Sequence, residues 1–362
     1  MKVVTILGTR PEIIKLSSLL PLMDKEFDHV LIHTGQHYDY ELDQAFFKDL
    51  HLSEAKYNLH VGSSSQGKQT GLMLEKIEEI LIKEKPDLVV VQGDTNTALA
   101  GSLAASKLHL PLAHVEAGCR SFNKKMPEEL NRIVSDHAAN YLFAADKESQ
   151  ENLAREGLSG ENVFMVGNTI FDACLRNAKL AQNSNILKEV NLEKGKYVLV
   201  TIHRQQSTDN KEVLKNIISA LNELSTMIDV VFPMHPRTKK ALEEHGIEMS
   251  GRIKVTKSLQ YLPFLKLLAD CRFCISDSGG IQDEALVFNL PCLIPRHYTE
   301  WTRLVKAGKN FLVGDAKESI LAKAEELVKN DQSLQEIKDI EYPYETGIGE
   351  KIIKIIKEKF EK

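Results

Sequence analysis

The sequence predicts an α/β protein built from two doubly wound parallel sheets in series. Three observations carry that prediction. Short, near-continuous runs of Val, Ile and Leu alternate with longer helical patterns, the mark of parallel strands covered on both faces. The alternation runs once as far as Val166 and resets after Gly167. The 362 residues suffice for roughly two domains of about 150 residues, each able to bury a core of its own.

The first series of runs is Val3–Leu7, Val30–His33, Leu88–Gln92, Leu112–Val115, Tyr141–Ala144 and Val163–Val166. The second is Tyr197–Ile202, Val230–Met234, Phe273–Ser276 and Cys292–Pro295. Between them, 171–196 holds a helical pattern and then the polar Gln182-Asn183-Ser184-Asn185. The boundary therefore falls near 170, giving domains 1–170 and 171–349. Residues 342–350 are turn-rich, and Ile352, Ile353, Ile355, Ile356 and Phe360 then mark one apolar helical face. That terminal helix, 350–362, must bury its face either on its own domain or on the first.

Hydrophobic residues are 43% and charged residues 27% of the chain, ordinary for a globular protein. The net charge of -5 provides no global basic field for nucleic acid. A local cluster of Arg, Lys and His can still hold a small anion. No stretch of about 18 apolar residues is present to span a membrane. The opening MKVVTILGTR is too short for a signal peptide's apolar region. Five cysteines, an odd number thinly spread, suit a reducing cytoplasm. Cys271 and Cys274 form a lone CxxC with no second pair for zinc, so no metal is expected.

In open parallel sheets, ligands bind beyond the carboxyl ends of the strands. After the first run comes Gly8-Thr9-Arg10-Pro11-Glu12. Pro11 suits the start of a helix, which places Arg10 at an anion-favouring N-terminus, with Lys15 about a turn further in. There is no GxGxxG and no Walker A motif, which disfavours NAD or P-loop nucleotide binding. Gly93-Asp94-Thr95 follows another run, Glu116-Ala117-Gly118 a third, and Pro127-Glu128-Glu129 opens a later helix. Taken singly, Asp94, Glu116 and Glu128 read as helix caps or surface charges. Their convergence at one sheet edge reads as acid/base machinery, because crowded carboxylates push one another's pKa values apart.

The second domain offers His203-Arg204 after one strand and His235-Pro236-Arg237 after the next. Ser276-Asp277-Ser278-Gly279-Gly280 then leads into a helix. Ser278, Gly279 and Gly280 expose backbone N–H groups at a helix N-terminus, a cradle for phosphate. Glu284, a turn inside, is placed to accept hydrogen bonds from a ribose diol. Carboxylates in one domain and a diphosphate cradle with His and Arg in the other fit a nucleotide sugar. Residue chemistry alone leaves open whether the sugar is transferred or rearranged.

GTRPEIIK (8–15), QGDTNT (92–97), HVEAGCRS (114–121), PEELNR (127–132), TIHR (201–204), MHPR (234–237) and SDSGGIQDEA (276–285) together resemble the non-hydrolysing UDP-N-acetylglucosamine 2-epimerases. The resemblance spans Gly8 to Ala285. It implies the glycosyltransferase-B architecture, two Rossmann-like domains with a cleft between them, a mobile linker at 167–185 and a terminal helix returning to the first domain. It implies C2 epimerisation without a cofactor, by elimination of UDP to a 2-acetamidoglucal and re-addition, for cell-surface polysaccharide precursors. By motif position Asp94, Glu116 and Glu128 would be the acid/base carboxylates and His203 would steady the departing diphosphate. Arg10, Lys15, Arg204, His235, Ser278, Gly279, Gly280 and Glu284 would hold the UDP-sugar. The resemblance also implies a homodimer, and a second, activating UDP-sugar site at Gln36, Lys68, Gln69 and His235.

Three departures from the family pattern stand out. The segment before PEE is the short Phe122-Asn123-Lys124-Lys125-Met126; Trp301 replaces an Arg; and Gln205-Gln206-Ser207 replaces Arg-Glu-Asn. The first two resemble the branch acting on UDP-2,3-diacetamido-2,3-dideoxy-glucuronate, whose carboxylate Lys124 or Lys125 would meet. That branch, a hydrolysing epimerase and a glycosyltransferase of the same fold are the alternative enzymes. A non-catalytic nucleotide-sugar sensor is the alternative of another class.

Overall fold

Parallel pairing around two separate switch points defines the architecture. The computed structural model describes residues 1–36, 40–299, 302–342 and 344–360. The chain divides into two compact units, Met1–Ala173 with Tyr344–Lys362, and Cys174–Pro343.

In the first unit β1 (Lys2–Leu7), β2 (Asp28–His33), β3 (Tyr57–Asn58), β4 (Leu88–Gln92), β5 (Leu112–Ala117), β6 (Tyr141–Ala144) and β7 (Val163–Met165) form one sheet. Its order is β3-β2-β1-β4-β5-β6-β7, and every pair is parallel. The central strands are buried along their length because helices cover both faces; β4 has no exposed residue. One core cluster gathers Val4, Ile6, Val89 and Val91 with Met73, Ile77 and Leu81 of the helix Gln66–Glu84. Strand order reverses between β1 and β4, which opens a crevice at their carboxyl ends.

The last helix, Ile348–Phe360, belongs to this unit and packs on the helix Leu20–Glu26. Ile348, Ile352, Ile353 and Ile356 are its buried face, and Lys357 pairs with Glu26. The Asp172 carboxylate accepts the backbone N–H groups of Gly347 (2.9 Å), Ile348 (2.6 Å) and Gly349 (3.1 Å). An acid gathering first-turn N–H groups is a helix cap, strengthened by the helix dipole.

The second unit holds β8 (Tyr197–Thr201), β9 (Asp229–Met234), β10 (Lys254–Lys257), β11 (Phe273–Ser276), β12 (Cys292–Ile294) and β13 (Asn310–Leu312). They form a parallel sheet of order β10-β9-β8-β11-β12-β13, with its switch point between β8 and β11. Leu214, Ile217, Ile218 and Leu221 of the helix Lys211–Leu224 pack onto Val198, Val200 and Phe232. Both units are therefore doubly wound α/β. The sequence reading omits β3, β10 and β13. All three are edge strands that carry partly exposed residues, so none shows a continuous apolar run. No described helix is long and apolar enough to cross a membrane.

Candidate active site

At the switch point of the first unit, three strand ends deliver charge to one edge. The β1 turn leads into the helix Arg10–Leu16, with Pro11 in its first turn. Lys15, in the last turn, donates to both oxygens of Glu116 at 2.7 and 2.6 Å. Burial pushes the Lys15 ammonium down, but the Glu116 carboxylate, assisted by Asp94, outweighs it and the pKa ends above its ordinary value. Gln92, the last residue of β4, donates to the same carboxylate. Glu116 itself has φ +69°, and the register of β5 against β6 shifts at this point. A left-handed backbone costs a non-glycine residue about 1–2 kcal/mol, so the bulge aims this side chain at some expense.

Asp94 follows the β4 turn and pairs with Arg132 of the helix Pro127–Ala138. Arg132 also donates to Glu129 at 2.9 Å. Glu129, almost fully buried, accepts the N–H groups of Ser121 and Phe122, both at 2.8 Å, and so fastens the 118–126 loop. Glu128, one position earlier, is exposed and makes no hydrogen bond or ion pair with a described residue. The structure thus brings Lys15, Glu116, Asp94 and Arg132 into one electrostatic cluster, with Glu128 at the start of the same helix as Arg132. Burial and then the charge of Glu116 push the nearby Cys119 thiol up to about 11. Arg10 is exposed at the start of its helix, its guanidinium 6.0 Å from the Phe46 ring centroid. Lys124 and Lys125 are exposed on the 118–126 loop.

Sequence reasoning does not single out Glu12. Its carboxylate accepts Gly8 N and Thr9 Oγ1, both at 2.9 Å, and Thr95 Oγ1 at 2.7 Å. It ties the turn after β1 to the turn after β4. Burial, only partly offset by those bonds, pushes its pKa up to about 7. An acid just after a helix-starting proline looks like an ordinary dipole-friendly charge. Only its burial beneath Thr95 reveals more.

Gln36 and Gln69 meet, Gln69 Nε2 donating to the Gln36 carbonyl at 3.1 Å and to that of Gly62 at 2.8 Å. The Gln36 side-chain oxygen accepts the Thr97 hydroxyl at 3.0 Å. Lys68, next to Gln69 in sequence, is exposed.

In the second unit, buried Asp277 organises the end of β8. It accepts the backbone N–H groups of His203 (3.1 Å) and Arg204 (2.9 Å). The His203 and His235 rings lie 5.5 Å apart. Burial, then the neighbouring His203 and Arg237, lower the His235 pKa. These histidines with Arg204, Gln205, Gln206 and Arg237 line a cavity of about 460 Å³. Ser278 is the N-cap of the helix Gly279–Val287. A methyl group added at Gly280 would meet nothing within 4 Å, so the space beside this residue is open. Glu284 is buried, accepts Tyr261 Oη at 2.9 Å, and is pushed up to about 7 by burial.

The five cysteines are free thiols. Among the described residues no cluster of His, Cys, Asp and Glu is arranged to hold a metal ion. Trp301 lies outside the described residues.

The model of the UDP-N-acetylglucosamine 2-epimerase family matches residues 22–357. The UDP-N-acetylglucosamine 2-epimerase of Methanocaldococcus jannaschii is 46% identical over 98% of this chain and 99% of its own. The UDP-2,3-diacetamido-2,3-dideoxy-D-glucuronate 2-epimerase of Pseudomonas aeruginosa is 40% identical over 90% of this chain and 91% of its own. A crystal structure of the M. jannaschii enzyme in complex with UDP-GlcNAc and UDP matches with a TM-score of 0.85 at 45% identity, over 99% of this chain and 100% of that one. By its switch-point carboxylates and these matches along almost its whole length, the chain belongs to the UDP-N-acetylglucosamine 2-epimerase family.

Proposed function

We propose that this chain inverts C2 of UDP-N-acetylglucosamine to give UDP-N-acetylmannosamine. The observation that carries the reading is Glu116, held in a strained bulge and gripped by Lys15 at a parallel sheet's switch point. The 46% identity to the M. jannaschii enzyme, against 40% to the diacetamido-glucuronate enzyme, supports UDP-GlcNAc over the uronate.

In this reading a carboxylate removes the C2 proton as the C1–O bond to the β-phosphate breaks. The C–H electron pair becomes the C1–C2 double bond, and the C–O pair leaves with UDP. UDP and 2-acetamidoglucal stay bound. A carboxyl group returns a proton to the opposite face of C2, and the diphosphate oxygen adds again at C1. The sequence is redox-neutral and calls for no cofactor. Asp94, Glu116 and Glu128 share the proton transfers. His203, steadied by Asp277, supports the leaving diphosphate, which Ser278, Gly279 and Gly280 cradle. Glu284 holds the ribose, and Arg10, Lys15, Arg204 and His235 complete the binding of the ligand. Gln36, Lys68 and Gln69 would serve a second UDP-sugar. The working form in this reading is a cytoplasmic homodimer feeding cell-surface polysaccharide synthesis; free cysteines suit that compartment.

Proton NMR of UDP-GlcNAc with the protein in deuterated water tests the reading. Deuterium should appear at C2 of both epimers. Exchange of the diacetamido uronate alone would move the substrate to the other branch, and free sugar with UDP would identify a hydrolase. No exchange with either substrate overturns the reading.

A further inference from the structure

Beneath the carboxylate cluster lies a charge pair to which no role has been given. His114 of β5 and Asp136 of the helix Pro127–Ala138 both have 0% side-chain exposure. His114 Nδ1 is 2.7 Å from Asp136 Oδ1, and Nε2 is 2.8 Å from the Gly93 carbonyl oxygen. A backbone carbonyl only accepts, and so does an ionised carboxylate. Asp136 is ionised: burial alone would raise its pKa, but His114 and Arg120, the latter at 2.7 Å, bring it below the ordinary value. Both ring nitrogens of His114 therefore donate, and a ring with two N–H groups is an imidazolium.

The pair touches the chain at three informative places. Asp136 holds His114, two residues before Glu116, and the N–H of Gly118, two residues after it, at 3.1 Å. The left-handed Glu116 lies between these grips. The other nitrogen of His114 holds the carbonyl of Gly93, the residue before Asp94. One ion pair thus fastens the turns that present both Asp94 and Glu116.

We propose that His114 and Asp136 are positioning residues for the epimerase reaction: a buried imidazolium tethers the Asp94 turn while its carboxylate partner clamps both flanks of Glu116. The proposal rests on the reading of function above. The charged groups facing His114 are Asp136 from the adjoining helix and Glu116 from its own strand; Arg120 shares Asp136 with it and pairs with Glu156. Burial pushes the His114 pKa down, and Asp136, the Gly93 carbonyl and Glu116 together carry it above the ordinary imidazole value. A raised histidine keeps its tether at low pH and loses it as pH rises through the raised pKa. An alkaline limb in kcat follows.

The test has three arms. In 15N spectra of the full chain just above the ordinary imidazole pKa of about 6.5, where a free imidazole is mostly neutral, His114 should show both nitrogens protonated. Asp136→Asn should lower kcat about 100-fold, the scale of a small displacement of reacting groups, and leave KM within about threefold. Its alkaline limb should move to lower pH, which loss of stability alone would not cause. If Asp136→Asn does not fold, His114→Gln takes its place, with the same fall in kcat and no alkaline limb of this origin. A neutral His114 in the folded wild type overturns the proposal, as does a folded variant with wild-type kcat and pH profile. Wild-type deuterium exchange separates the two failures. An inactive wild type removes the epimerase reading, whereas an active wild type with an insensitive variant removes only the positioning role.

Discussion

Lys15 Nζ lies 2.7 Å from one oxygen of Glu116 and 2.6 Å from the other. The two residues are 101 positions apart, on a helix and a strand end that meet only because β1 and β4 are neighbours and β4 pairs with β5. Both side chains are mostly shielded from water, at 27% and 14% exposure.

Removing this cation should be felt in catalysis more than in folding. Lys15→Met leaves a largely buried carboxylate with Gln92 as its remaining hydrogen-bond partner among the described residues. We expect deuterium incorporation at C2 to slow by about 100-fold or more, the usual scale for losing a preorganised electrostatic contact. Stability should drop by about 2 kcal/mol, less than for a fully buried pair. Lys15→Arg should recover the charge but only part of the rate, because a planar fork does not replace a point ammonium.

A second expectation concerns stability against pH. Glu12 goes from an ordinary value of 4.5 to about 7 in the folded chain. Between those values the folded state binds a proton that the unfolded state has released. Its contribution to stability is therefore largest below pH 4.5 and declines as pH rises to about 7. The interval of about 2.5 units, at about 1.4 kcal/mol each, amounts to roughly 3.5 kcal/mol. Glu12→Gln should flatten thermal stability across that window. Glu284, also pushed up to about 7, leaves a residual slope of the same sign. An unchanged slope in Glu12→Gln would show that Glu12 does not titrate there.

Two glycines separate folding from binding. A methyl group at Gly118 would lie 2.2 Å from the Ser149 carbonyl oxygen, at a residue whose φ is +80°. Gly118→Ala should cost on the order of 3 kcal/mol and lower Tm visibly. At Gly280 the same methyl meets nothing. Gly280→Ala should melt within a degree or two of wild type yet bind UDP about tenfold more weakly by calorimetry, because in the proposed reading the diphosphate lies against this glycine. Wild-type UDP affinity in Gly280→Ala would place the diphosphate elsewhere.

The doubly wound class was legible because a strand such as Leu88–Gln92, covered on both faces, must be apolar throughout. The edge strand Lys254–Lys257 alternates partly and fully exposed residues and pairs on one side only, so nothing in its composition marks it. Candidate ligand-binding residues announce themselves by type at strand ends. Those that aim them do not. Asp136 is 22 residues from His114, and Thr95 is 83 from Glu12; such partners become visible only in three dimensions. Glu128 and Glu129 are adjacent and chemically equal, yet a turn of about 100° around the helix leaves one exposed and the other buried.

The first unit is written in the gene as two pieces. Everything from Cys174 to Pro343 interrupts it, and Asp172 fastens the resumed chain within a few residues of the gap. The rings of Phe171 and Tyr344 on either side of the interruption are 4.9 Å apart. A fragment stopping at Ala173 leaves the helix Leu20–Glu26 without the helix that packs on it. Excising the interruption and splicing Ala173 to Tyr344 through a short linker restores that cover, and this marks the natural seam along which the carboxylate half could be transplanted.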